Sequence, residues 1–144
     1  NLNKLASWML RHLNAFPISR GTGDQRSLNY AIRLVEEGKV LGIFPEGTRS
    51  KDGEIHRFKA GAFTLAKEAG AEILPVVLDG TKTLIKKNLA FNWGNRITVR
   101  VLPPVPAERV AALETHELMQ EVHERMCTAL GEVRNEKLKV KDQK

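Results

Sequence analysis

Four consecutive residues, Glu46, Gly47, Thr48 and Arg49, place a carboxylate, an unhindered backbone, a hydroxyl and a guanidinium in one short stretch. Such a group suits a polar, anionic ligand, because a planar guanidinium presents two parallel N–H donors to a phosphate and stays charged. A second cation, Arg20, closes an earlier β-prone run, residues 13–20 (LNAFPISR), and is followed by Gly21, Thr22 and Gly23. Read alone, the first group is equally a turn made by Pro45 and Gly47, with Glu46 and Arg49 as a solvated ion pair worth about 0–1 kcal/mol. The flanking residues separate the two readings.

Residues 44–50 read FPEGTRS, then come Lys51, Asp52 and Gly53, and further on Phe58, Lys59, Ala60 and Gly61. This pattern resembles the third sequence block of the glycerolipid acyltransferases, the 1-acylglycerol-3-phosphate acyltransferase family. Residues 13–20 are similar to the second block, with two departures: Asn14 stands where glycine is usual, and Pro17 sits inside the run. Pro75 within the apolar run 73–78 resembles the fourth block. The resemblance implies transfer of a fatty acyl group from a thioester on coenzyme A or acyl carrier protein to the sn-2 hydroxyl of 1-acylglycerol 3-phosphate, with no cofactor beyond that co-substrate. It implies that Arg20 and Arg49 hold the phosphate, that Glu46 and Gly47 shape the glycerol pocket, that Thr48 faces the substrate, and that Lys59 is a further cation for it.

Family members use a histidine as general base, held by an aspartate after four intervening residues. That pair is missing here: the same step leads from His12 to Pro17, from His56 to Gly61, from His116 to Glu121 and from His123 to Thr128. No catalytic residue is therefore assigned in this chain, and the base is expected upstream of Asn1. The alternative is a non-catalytic module that binds phosphate esters or anionic lipid and has no such base at all.

The elements that must position these groups follow from periodicity. Residues 2, 5, 8, 9 and 13 are apolar at helical spacing, so an amphipathic helix opens the chain, with His12 at its surface end. Leu28, Ala31, Ile32 and Val35 recur at i, i+3, i+4 and i+7, with Asp24 or Ser27 as cap and Gly38 as stop, which predicts a helix of about three turns. It leads into the apolar run 40–44, read as a buried strand that ends where Pro45 lacks an amide hydrogen. Strand, helix, strand is the signature of a parallel crossover, which would bring Arg20 and Arg49 to one sheet edge. A helix over 60–69, a buried strand over 73–78, a half-buried strand over 96–102 and a long helix over 107–133 complete the expectation. The predicted fold is thus α/β, a single domain over residues 1–134 with a mostly parallel central sheet flanked by helices, then a frayed basic tail over 135–144.

Composition bounds the rest. The 144 residues carry a net charge of +6 and a pI near 9.7, which favours anionic partners. Aromatic residues make up 6% of the chain and do not interleave with the cations, which argues against nucleic acid. The single cysteine, Cys127, precludes an internal disulfide and fits a reducing compartment. His116, His123 and Cys127 fall near one another on one helix flank, but their spacing supplies two ligands and no fourth, so no metal is expected. No apolar run reaches the ~18 residues of a membrane span. The basic stretch with Lys82, Lys86 and Lys87 reads first as a solvated face and second as a lip for anionic lipid, and the expected location is the cytoplasmic side of a membrane, peripheral or anchored through a segment outside this chain.

Overall fold

The computed structural model describes residues 25–48, 50, 52–83 and 96–141. The chain divides into two compact units, Asn1–Leu41 and Gly42–Lys144. In the first, α1 (Gln25–Glu36) places Ala31 in its buried position and leaves Arg26, Asn29 and Arg33 exposed, as the apolar period requires. It starts two residues before Ser27, so Ser27 lies inside the helix and not at its cap. Its end is a Schellman closure: the Lys39 amide donates to the Leu34 carbonyl and the Gly38 amide to that of Val35, with Gly38 at φ 76°.

The second unit contains α2 (Gly61–Glu68), β1 (Val76–Asp79), a 3-10 turn (Thr81–Thr83), β2 (Thr98–Val101), α3 (Ala107–Ala112) and α4 (Thr115–Lys141). β1 and β2 pair antiparallel, with Val76 opposite Val101 and Asp79 opposite Thr98, and an isolated bridge joins Ile73 to Val105. Gly80 makes the close approach feasible: it sits at φ 97°, and a Cβ there would lie 2.4 Å from the Arg96 carbonyl oxygen. Phe58, Phe63, Val105, Val110, Leu118 and Val122 form the larger core cluster. Val77, Ala129 and Leu130 form a second, and Ile55 and Met126 pack against both.

Several expectations are corrected. The only sheet among the described residues is this antiparallel pair, so the mostly parallel sheet is not found there. Residues 40–44 form no strand with any of the described residues, and Val40 and Phe44 are 99% and 77% exposed. Their expected neighbour, 16–20, lies outside the described residues, as does the opening amphipathic helix with His12. An apolar run becomes a buried strand only when another strand accepts its backbone groups.

The sheet also buries the opposite face from the one its pattern suggests. Val77 is 2% exposed beneath α4, whereas Leu78, Val99 and Val101 are 43–59% exposed. Arg100 decides this: its guanidinium bridges Glu132 at 3.1 Å and Glu136 at 2.7 Å, one turn apart on α4, so the charged residue lies under the helix. The long helix expected over 107–133 is two, interrupted at Leu113 and Glu114. Glu117 caps the second by accepting from the Glu114 amide at 3.1 Å. Residues 135–141, expected to fray, are its last turns.

Candidate ligand loop

Between residues 40–44 and α2 the chain makes a closed loop. The Lys59 amide donates to the Pro45 carbonyl at 2.8 Å, tying the two ends together in the manner of an Ω-loop. Just inside that neck the Gly47 amide donates to the Phe44 carbonyl at 3.0 Å, and Gly47 takes φ 69°. The Lys59 side chain lies over this glycine, its Nζ only 3.1 Å from where a Cβ would stand. A Cβ at 47 would press tightly on the lysine, which would have to shift by a few tenths of an ångström. Hence a motif that reads as a turn also brings Gly47 and Lys59, twelve residues apart, into one place.

Of the predicted site residues, Glu46, Gly47, Thr48 and Lys59 lie on this loop, while Arg20 and Arg49 lie outside the described residues. Thr48 is exposed. Glu46 is half-buried, and its Oε2 is buried without a hydrogen-bond partner among the described residues. A buried carboxylate oxygen left unpaired is costly, so the position suits a ligand donor.

Asp52, which the sequence offers only as part of the motif's flank, organises the loop's far side. Its Oδ1 accepts from the Glu54 amide at 3.0 Å and the Ser50 hydroxyl at 2.9 Å, and meets His56 Nε2 at 2.9 Å. The Glu54 amide, then the Ser50 hydroxyl and His56, outweigh desolvation and hold its carboxyl far below the usual carboxylate range. The signal was available: Asp-Gly is an Asx-turn dipeptide, and Gly53 indeed has φ 86°. No local signal points to Arg134, which reaches this turn from α4, 81 residues on, by donating from Nη2 to the Gly53 carbonyl at 2.7 Å.

Beneath the loop, the ring of His123 meets Phe58 edge-on at 4.9 Å, and the Cys127 sulfur lies 3.7 Å from His123 Nδ1. Burial, then the charges of Glu54 and Glu46, push the Cys127 thiol up. Among the described residues no three His, Cys, Asp or Glu side chains gather as a metal site, and no helix is long and apolar enough to cross a membrane.

The motif and the loop that displays it define an acyltransferase-type chain, and comparison with known proteins agrees. The sequence model of the Acyltransferase family matches residues 1–79. The chain is 33% identical over 104 residues to a 1-acyl-sn-glycerol-3-phosphate acyltransferase of Borreliella burgdorferi, an alignment covering 72% of this chain and 42% of that protein. It is 36% identical over 132 residues to the alpha enzyme of that name from Ovis aries, covering 90% of this chain and 45% of the relative. Among solved structures, the 1-acyl-sn-glycerophosphate (LPA) acyltransferase PlsC from Thermotoga maritima superposes with a TM-score of 0.70 at 29% identity, covering 90% of this chain and 51% of that one. This chain belongs to the Acyltransferase family, so the resemblance drawn from FPEGTRS is borne out. It spans about half the length of the relatives it matches.

Proposed function

We propose that this chain is the acceptor-binding portion of a 1-acylglycerol-3-phosphate O-acyltransferase, which moves a fatty acyl group from acyl-CoA or acyl-ACP to the sn-2 hydroxyl of lysophosphatidate. The observation that carries the reading is the closed loop from Pro45 to Lys59, which displays the motif with the Lys59 amine over Gly47. In this reading Arg20 and Arg49 grip the phosphate, Lys59 adds a third cation, and the unpaired Glu46 oxygen accepts a hydrogen bond from the glycerol moiety. A histidine and aspartate preceding Asn1 supply the base: the imidazole takes the hydroxyl proton as the oxygen attacks the thioester carbonyl, and the thiolate leaves. The protein works at the cytoplasmic face of a membrane, peripherally or through an anchor outside this chain, and the net charge of +6 favours an anionic lipid surface.

The test is radiolabelled acyl transfer to lysophosphatidate, by the gene product with its upstream sequence and by this chain alone. The expected result is turnover by the former, a KM for lysophosphatidate raised about tenfold or more by Arg49→Ala through loss of a charge-assisted pair, and no turnover by the latter. Robust turnover by this chain alone would overturn the placement of the base. An upstream sequence without the His-x4-Asp pair, together with retained lysophosphatidate binding, would leave a binding module instead.

A further inference from the structure

We infer that Arg134, on α4, is a positioning residue for the ligand loop, acting through Glu54 and the Gly53 carbonyl. The loop has two fastenings of different kinds. Its neck is a backbone hydrogen bond, from the Lys59 amide to the Pro45 carbonyl. Among the described residues its far side is held by side chains, and the fork of Arg134 is their centre: Nη1 donates to Glu54 Oε1 at 2.6 Å and Nη2 to the Gly53 carbonyl at 2.7 Å. Lys82 adds a donor to the Asp52 carbonyl at 3.1 Å.

The guanidinium is aimed from behind. Its Nε lies 3.7 Å from Asp79 Oδ1 at the end of β1, and the other oxygen of Asp79 accepts from Lys137, one turn further along α4. Burial works against ionisation of Asp79, but the hydrogen bond and charge of Lys137, with Arg134, outweigh it and lower its pKa, so a carboxylate stands there at neutral pH. Asp79 is 16% exposed at its side chain and Arg134 36%, which places the pair at the sheet's end and not free in solvent. One guanidinium thus ties three segments together, namely the strand end, the helix and the turn at 52–54. The same turn fixes the Ser50 hydroxyl, one residue after Arg49. If the Arg134 fork is lost, the described part of the loop keeps its neck, the Lys82 contact and the packing of Ile55, but loses the hold on the turn at 52–54.

The inference rests on the proposed function only for what the loop holds, and two readouts separate the two. Hydrogen exchange followed by mass spectrometry on the chain should show peptides over 50–56 exchanging about tenfold faster in Arg134→Ala, with α2 and the 115–130 part of α4 unchanged. Arg134→Lys, which keeps the charge but loses the fork, should fall between. In the acyltransferase with its upstream sequence, Arg134→Ala should raise the lysophosphatidate KM about tenfold while kcat and the acyl-CoA KM stay within about twofold. Unchanged exchange over 50–56, acceleration that spreads to α2 and α4, or a loosened loop with an unaltered lysophosphatidate KM would each overturn it. If the unsubstituted protein does not acylate lysophosphatidate, the proposed function falls, and the exchange pattern still decides whether Arg134 holds the loop.

Discussion

Asp52 shows how one side chain sets the acid behaviour of a loop. Its carboxyl is held far below the usual range, first by the Glu54 amide and then by the Ser50 hydroxyl. A folded-state pKa below the unfolded one means that its contribution is complete above the ordinary value near 4 and is lost only as pH falls through the depressed value. A carboxyl-carbon NMR titration should therefore find Asp52 still ionised well below the ordinary carboxylate range. The loop's turn should keep its form across the whole neutral and mildly acid range. Cys127 gives the opposite case: burial and the negative charges of Glu54 and Glu46 raise its pKa. Alkylation by iodoacetamide at neutral pH should be slower than for a free thiol, and Glu46→Gln should quicken it by removing one of those charges. At this scale the sequence was informative where chemistry is local. The Glu46 to Lys59 group was legible because its residues share one loop, whereas Arg134 and Asp79 were not, because nothing in a linear pattern announces contacts made 58 or 80 residues apart.

Among the elements, the antiparallel pair depends on a glycine. Gly80→Ala would force a Cβ against the Arg96 carbonyl at 2.4 Å and hold a non-glycine residue at φ 97°. Strain of this kind costs about 1–3 kcal/mol, with the clash in addition, so the melting temperature should fall by several degrees or more. The helices behave more conventionally. Leu118 is fully buried in the larger cluster, and Leu118→Ala should cost about 2–5 kcal/mol in a denaturant melt. Helices α1, α2 and α4 were legible because a 3.6-residue period survives any tertiary context. Strand burial was not. Alternation at 97, 99 and 101 shows that the two faces differ, but the face that turns inward depends on which helix arrives. Here the two glutamates of α4 drew Arg100 under it.

At the scale of the molecule, α4 unites what the other elements leave separate. Leu118 and Val122 belong to one core cluster, Ala129 and Leu130 to the other, and Arg134 and Lys137 reach the ligand loop and β1. Its anchorage is uneven. Val133 is 1% exposed, but beyond it no described side chain of the helix is fully buried. Heat should accordingly melt this end first, because few apolar contacts oppose it. Two turns of unwinding would free both cations while Val133, Leu130 and the rest of the core stayed packed. Loosening of the ligand loop on warming should then precede collapse of the fold, be recovered on cooling, and take from the far-ultraviolet circular dichroism only the small share that those two turns contribute.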